Sequence, residues 1–174
     1  SLNLIHSISL KCFTALYVKH RLIITKKLHS QGACRSRQFA FDGLLRELKV
    51  PNSYLHAERY ERIYWQNFLN EMKVSQELKA FLIKVKKLGL VTCAVTDMQA
   101  NFQIAKLKKI KLDRYIDYLA TSEEAGSEKP SPAIFQLALK KMGLNKKKVV
   151  MIGDSKKKDL NGAESFGIKG IYFK

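Results

Sequence analysis

In the second half of the chain, short apolar runs alternate with stretches of helical period. Leu90 to Val95 is apolar or β-branched throughout and ends in Thr96-Asp97; Tyr115–Ala120, Val149–Ile152 and Ile168–Phe173 are runs of the same kind. Runs of this length, bounded by polar or glycine positions, read as buried strands. Between them, 99–109 carries Ile104 and Leu107 with Ile110 just beyond, 131–142 opens after Pro130 and stops at Gly143, and 156–166 follows the third run. Strands and helices in alternation predict a parallel sheet flanked by helices, hence an α/β core.

The first half reads differently. Residues 36–49 carry Phe39, Phe41, Leu44, Leu45 and Leu48 at helical spacing and end at Val50-Pro51, where proline closes a helix. Residues 54–72 form a second predicted helix with Tyr54, Tyr60, Tyr64, Trp65 and Phe68, aromatics that at this spacing read as packing surface rather than a stacking platform for bases. Ser75 caps a third over 76–88, with Leu78, Phe81, Leu82 and Val85 facing inward and Gly89 ending it. Further upstream, 12–28 has helical character, and the partial alternation of Leu2, Leu4, Ile8 and Leu10 allows a short strand over 1–10. This predicts three parts: a first strand at 1–10, a shortened helical insertion at 11–75, and the α/β core at 76–174.

Composition narrows the classes. With 174 residues and 46% apolar content, the chain is long enough for one buried core and too apolar to be disordered. No apolar run reaches the ~18 residues of a membrane span. Cys12, Cys34 and Cys93 are too few and too scattered for a disulfide frame or a zinc site, which points to a reducing, cytoplasmic setting. Residues 1–41 lack Asp and Glu but hold seven Lys and Arg, a transit-peptide-like composition that makes an organellar location the alternative. The net charge is +17, which favours nucleic acid or phosphorylated ligands as partners, although lysines spread along solvated helix faces give the same total.

The candidate chemistry sits where strands end. Val149-Val150-Met151-Ile152-Gly153 delivers Asp154 to a strand tip, and Asp159 follows on the next helix. Ligands of open α/β sheets gather at such tips, and Mg²⁺ takes one or two carboxylates together with phosphate oxygens. Thr96 ends another strand, where its hydroxyl and the next N–H suit a phosphate oxygen. Lys129, set before Pro130 in Glu128-Lys129-Pro130-Ser131-Pro132, offers an ammonium to a phosphate. Singly these are a helix cap at Asp154, a cap at Thr96 and one more surface lysine; their order and spacing argue for one site.

Thr121-Ser122-Glu123-Glu124-Ala125-Gly126-Ser127-Glu128-Lys129-Pro130-Ser131-Pro132-Ala133-Ile134-Phe135, the segment from Val150 through Asp159 to Gly162-Ala163, and Ala94-Val95-Thr96 resemble the third, fourth and second motifs of the haloacid-dehalogenase-like superfamily. The helical 36–75 resembles the cap of its nucleotidase and N-acylneuraminate-9-phosphatase branch. The resemblance implies a Rossmann-like three-layer α/β/α core with a parallel sheet and a helical cap insertion. It also implies a Mg²⁺-dependent hydrolase of phosphorylated small molecules. Thr96 and Lys129 would bind and neutralise phosphate, Asp154 would hold Mg²⁺ and Asp159 would support it. Arg37, near the expected mouth of the cap, is a candidate substrate contact. Asp97 stands where these phosphatases often carry Asn, and its charge beside phosphate is unfavourable. Lys156, Lys157 and Lys158 would draw anions toward the crevice.

The departure is at the start. The family's first motif, Asp-x-Asp-x-x-Thr, supplies the nucleophile and the general acid/base, yet the first aspartate here is Asp42, in a predicted helix. Either Leu4 to Ser9 is a degenerate first strand, with Ser7 and Ser9 at the two aspartate positions, or the motif lies outside this sequence. A serine without a base is a poor substitute, so the sequence predicts a family member without turnover and with Mg²⁺ binding weak or lost. The alternatives are an active small-molecule phosphatase whose first strand is missing here, and a basic, non-catalytic module that binds RNA or a ribonucleoprotein assembly. Oligomeric state is not legible.

Overall fold

The computed structural model describes residues 8–29 and 31–173. Its contacts divide into two units, one holding the described residues through His29 with Ala33–Glu71 and the other running from Met72 onward.

The helical unit contains α1 (Leu10–Lys27), α2 (Arg37–Glu47) and α3 (Ser53–Glu71). Serines open the first two: the Ser9 hydroxyl accepts from Cys12 N–H and the Ser36 hydroxyl from Phe39 N–H, each at 3.2 Å. Phe41, Leu44, Leu45, Val50 and Ala57 form the core, with Phe13, Leu16, Tyr17, Tyr60 and Tyr64 packed against it. Gly43 lets α1 approach closely, because a Cβ there would strike the His20 ring. The buried face of α2 therefore centres on Ala40, Gly43 and Leu44, leaving Phe39 46% exposed. Asp42 is held within the unit by Arg46 Nε and Ser53 Oγ.

The second unit opens with α4 (Gln76–Lys87), capped by Ser75 as predicted. There follow β1 (Cys93–Thr96), α5 (Ala100–Lys109), β2 (Tyr118–Thr121), α6 (Ser122–Ala125), α7 (Pro132–Met142), β3 (Val150–Gly153), α8 (Asn161–Ser165) and β4 (Lys169–Tyr172). Every predicted strand and helix of this half is present, but β1 begins three residues later than the apolar run. Side chains satisfy the backbone there instead of a neighbouring strand: Thr92 N–H donates to Asp117 and the Thr92 hydroxyl donates to the Tyr115 carbonyl.

All described strand pairing is parallel. It falls into two pairs, β1 with β2 in the register Cys93↔Tyr118 to Thr96↔Thr121, and β3 with β4 in the register Val150↔Lys169 to Gly153↔Tyr172. Ile134, Phe135 and Ala138 of α7 meet Ala120, Ala163 and Ile168 in one core. Val150, Ile152, Ile171 and Tyr172 remain exposed. All three cysteines are free thiols, and burial pushes the Cys93 thiol up to about 11. No helix among the described residues is long and apolar enough to cross a membrane.

Candidate phosphate site at the strand tips

The C-terminal ends of β1 and β3 carry the chemistry. At β1 the Thr96 hydroxyl accepts from Met98 N–H and donates to Gln103 Oε1, both at 3.2 Å. At β3 the predicted helix 156–166 does not start as an α-helix. Lys156–Leu160 forms a π-turn, in which Leu160 N–H reaches back to the Ser155 carbonyl, and regular helix resumes at Asn161. π-turns recur at functional sites, and the effect here is to turn Asp159 inward. Asp159 lies on the backbone of Gly153, where a Cβ would come within 2.5 Å of its carboxylate.

Lys129 crosses between the two strand pairs. Its ammonium donates to the Val95 carbonyl at 3.0 Å and to Asp159 Oδ1 at 2.7 Å, with Asp159 Oδ2 held by Ser155 N–H. Both side chains are nearly enclosed, at 11% and 7% exposure. A buried pair of this kind is tolerable because hydrogen bonds satisfy the remaining polar positions. Asp97 is equally engaged: Oδ1 accepts from Lys129 N–H at 2.9 Å and Oδ2 from the Lys158 ammonium at 2.7 Å. Lys158 also donates to Glu128 Oε2 at 3.0 Å. Burial works to lower the Lys158 pKa, but its bonds to Asp97 and Glu128 outweigh that and hold it above the ordinary value.

Residues 10–173 match the family model described as haloacid dehalogenase-like hydrolase. The chain belongs to that family. It is 33% identical over 110 residues to a ribulose-1,5-bisphosphate 5-phosphatase of Halopiger xanaduensis, a match covering 63% of this chain and 46% of the relative. Against a glyceraldehyde 3-phosphate phosphatase of Pyrococcus furiosus the identity is 28% over 136 residues, covering 78% and 57%. The chain thus spans about half the length of the curated relatives it matches. Among solved structures, a 2-haloacid dehalogenase from Pseudomonas syringae superposes with a TM-score of 0.79 at 17% identity, over 99% of this chain and 72% of that one. A HAD phosphatase from Thermococcus onnurineus gives 0.67 at 20%, over 90% and 67%. These likenesses establish the α/β haloacid dehalogenase-like fold.

Of the residues singled out by sequence, Thr96, Asp97, Lys129 and Asp159 come together at the strand tips of the second unit. Asp154 is exposed just past the end of β3. Arg37 belongs to the helical unit, where its guanidinium lies 4.4 Å from the Tyr64 ring centroid and 4.5 Å from that of Trp65. Ser7 lies outside the described residues. Ser9 is described, and there the expectation of a strand over 1–10 needs correcting: it is the N-cap of α1, because its hydroxyl satisfies a helix-terminal N–H. The expectation that Lys156, Lys157 and Lys158 draw anions also changes, since Lys158 is committed to two carboxylates and Lys156 lies over the Tyr172 ring.

Sequence reasoning missed Lys158 and Glu128 as partners in the site. The signal was faint: a lysine one residue before a buried aspartate reads as solvent-facing on an α-helix, and only the π-turn brings it inward.

Among the described residues no group of three or more His, Cys, Asp or Glu is placed to hold a metal ion. The carboxylates at the strand tips face ammoniums and N–H groups instead, so the described donor set does not fit the Mg²⁺ that the family implies. Residues committed to N–H donors are poor candidates for oxygen ligation of a hard cation.

Proposed function

We propose that this chain, as its 174 residues stand, is a haloacid dehalogenase-like phosphatase core that recognises phosphorylated small molecules without hydrolysing them. The carrying observation is that no Asp-x-Asp occurs anywhere in the sequence, while Thr96 and Lys129 remain at the strand tips. In this reading the Thr96 hydroxyl orients a phosphate oxygen and the Lys129 ammonium neutralises it. The unfavourable charge of Asp97 is offset by Lys158. Asp42, the first aspartate, cannot replace the nucleophile, because it is tied within the helical unit. Groups that act as a unit in catalysis fail together, so residual turnover is negligible. The family's Mg²⁺ is bound weakly or not at all. The relatives named above as phosphatases of sugar phosphates support a small phosphate monoester as ligand class.

The test is hydrolysis of p-nitrophenyl phosphate with Mg²⁺. The expected outcome is a rate equal to that of buffer; robust turnover abolished by Asp154→Asn would overturn the reading and make the chain an active phosphatase. The net charge of +17 favours a second reading, a basic module on RNA. Binding of that kind falls steeply between low and moderate salt, and a flat salt response in a filter-binding titration rejects it.

A further inference from the structure

We propose that the Lys158 ammonium is this chain's own occupant of the cation position at the strand tips, doing for Asp97 and Glu128 what a bound divalent ion would otherwise do. The inference rests on reading the strand tips as a phosphate site. It goes further by naming what balances their negative charge.

Three carboxylates converge there, each matched to a cation carried by the chain. Asp159 takes Lys129, while Asp97 and Glu128 share Lys158. The two lysines are not equivalent. Lys129 is enclosed and also bonded to the Val95 carbonyl, which fixes it to β1. Lys158 is 34% exposed, whereas Asp97 and Glu128 are 16% and 11% exposed, so the ammonium covers the carboxylates from the solvent side.

The backbone explains how Lys158 reaches them. Ser155 caps the turn by accepting from Lys158 N–H, and the Ser155 carbonyl receives both Asp159 N–H and Leu160 N–H. The wide turn thus sends two neighbouring side chains, at 158 and 159, to two different partners on the β1 side. An ammonium carries one charge and three donors on a flexible stem. It can balance two carboxylates held on one side of it without the octahedral oxygen shell that Mg²⁺ demands. The cluster is then complete without metal.

The experiment compares the wild-type chain, Lys158→Met and Lys158→Arg by thermal melts in EDTA and in Mg²⁺, with Mn²⁺ binding followed by water-proton relaxation. For wild type and Lys158→Arg the proposal expects no Mn²⁺ binding and the same melting temperature in both buffers. For Lys158→Met it expects a melting temperature lower by about 3–6 °C in EDTA, of which Mg²⁺ restores at least half, together with measurable Mn²⁺ binding. Wild type binding Mn²⁺ as well as Lys158→Met does would overturn the proposal, and so would a destabilised Lys158→Met that ignores both metals. If Lys158→Met does not fold, Lys158→Gln carries the same comparison. The p-nitrophenyl phosphate assay tests the underlying reading separately, since turnover can appear or fail whatever the metal response.

Discussion

The two units use their cations in contrasting ways. In the helical unit Arg37 is spread over the faces of Tyr64 and Trp65, and its charge adds to an aromatic core. In the α/β unit Lys129 and Lys158 are bound to carboxylates at the strand tips, with the apolar core lying elsewhere, under α7. The helical unit is therefore held mainly by packing, whereas the strand tips are held by charge matching. A composition of +17 says nothing of this difference. Which lysines are structural depends on the backbone that carries them.

The largest expected effect lies in the packed unit. Leu44 is fully buried in α2, so Leu44→Ala should cost about 3–4 kcal/mol in urea denaturation, with little dependence on salt. A cost below about 1 kcal/mol would show that the helical unit does not depend on that core.

Next comes the charge-matched unit. Asp159→Asn leaves the Lys129 ammonium enclosed without its counter-charge and should cost about 3 kcal/mol. Combining it with Lys129→Met should recover much of that loss, since the uncompensated charge goes with the lysine. Additive losses would mean that the pair is not coupled.

The smallest effects separate the units by pH. Lys86 and the Thr92 N–H hold Asp117 of the α/β unit below its ordinary 3.8. A carboxylate with a depressed folded pKa stabilises above the unfolded value, and that contribution is lost as pH falls through the folded one. Glu61 of the helical unit is the reverse: burial raises it above 4.5, ahead of the N–H and Arg37 contributions that lower it. Its protonated form suits the fold, so stability declines as pH rises from 4.5 through the folded value. At neutral pH, Asp117→Asn should destabilise and Glu61→Gln should stabilise, each by less than about 1 kcal/mol. Urea melts across an acid series read both, and shifts of the same sign would break the contrast.

Particular residues show how far the sequence reaches. The Ser75 cap, the Gly143 stop and the run ending at Thr96 were legible because helix ends and buried strands are local properties. Thr96, Lys129 and Asp159 were legible through motif spacing. Lys158 was not, because its direction depends on a π-turn whose reason is the fit of Asp159 against Gly153. Nor was the exposed setting of Phe39, which follows from the approach of α1 over Gly43.

By itself, then, the sequence determined the alternation of strands and helices, the absence of an Asp-x-Asp, and the candidates Thr96, Asp97, Lys129, Asp154 and Asp159. Periodicity, caps and composition act within a few residues and need no fold to be read. The tertiary structure alone decided which cation faces which carboxylate. Ion pairing at a strand tip is set by distances of a few ångströms between residues 30 to 61 positions apart, and only the folded backbone supplies those distances.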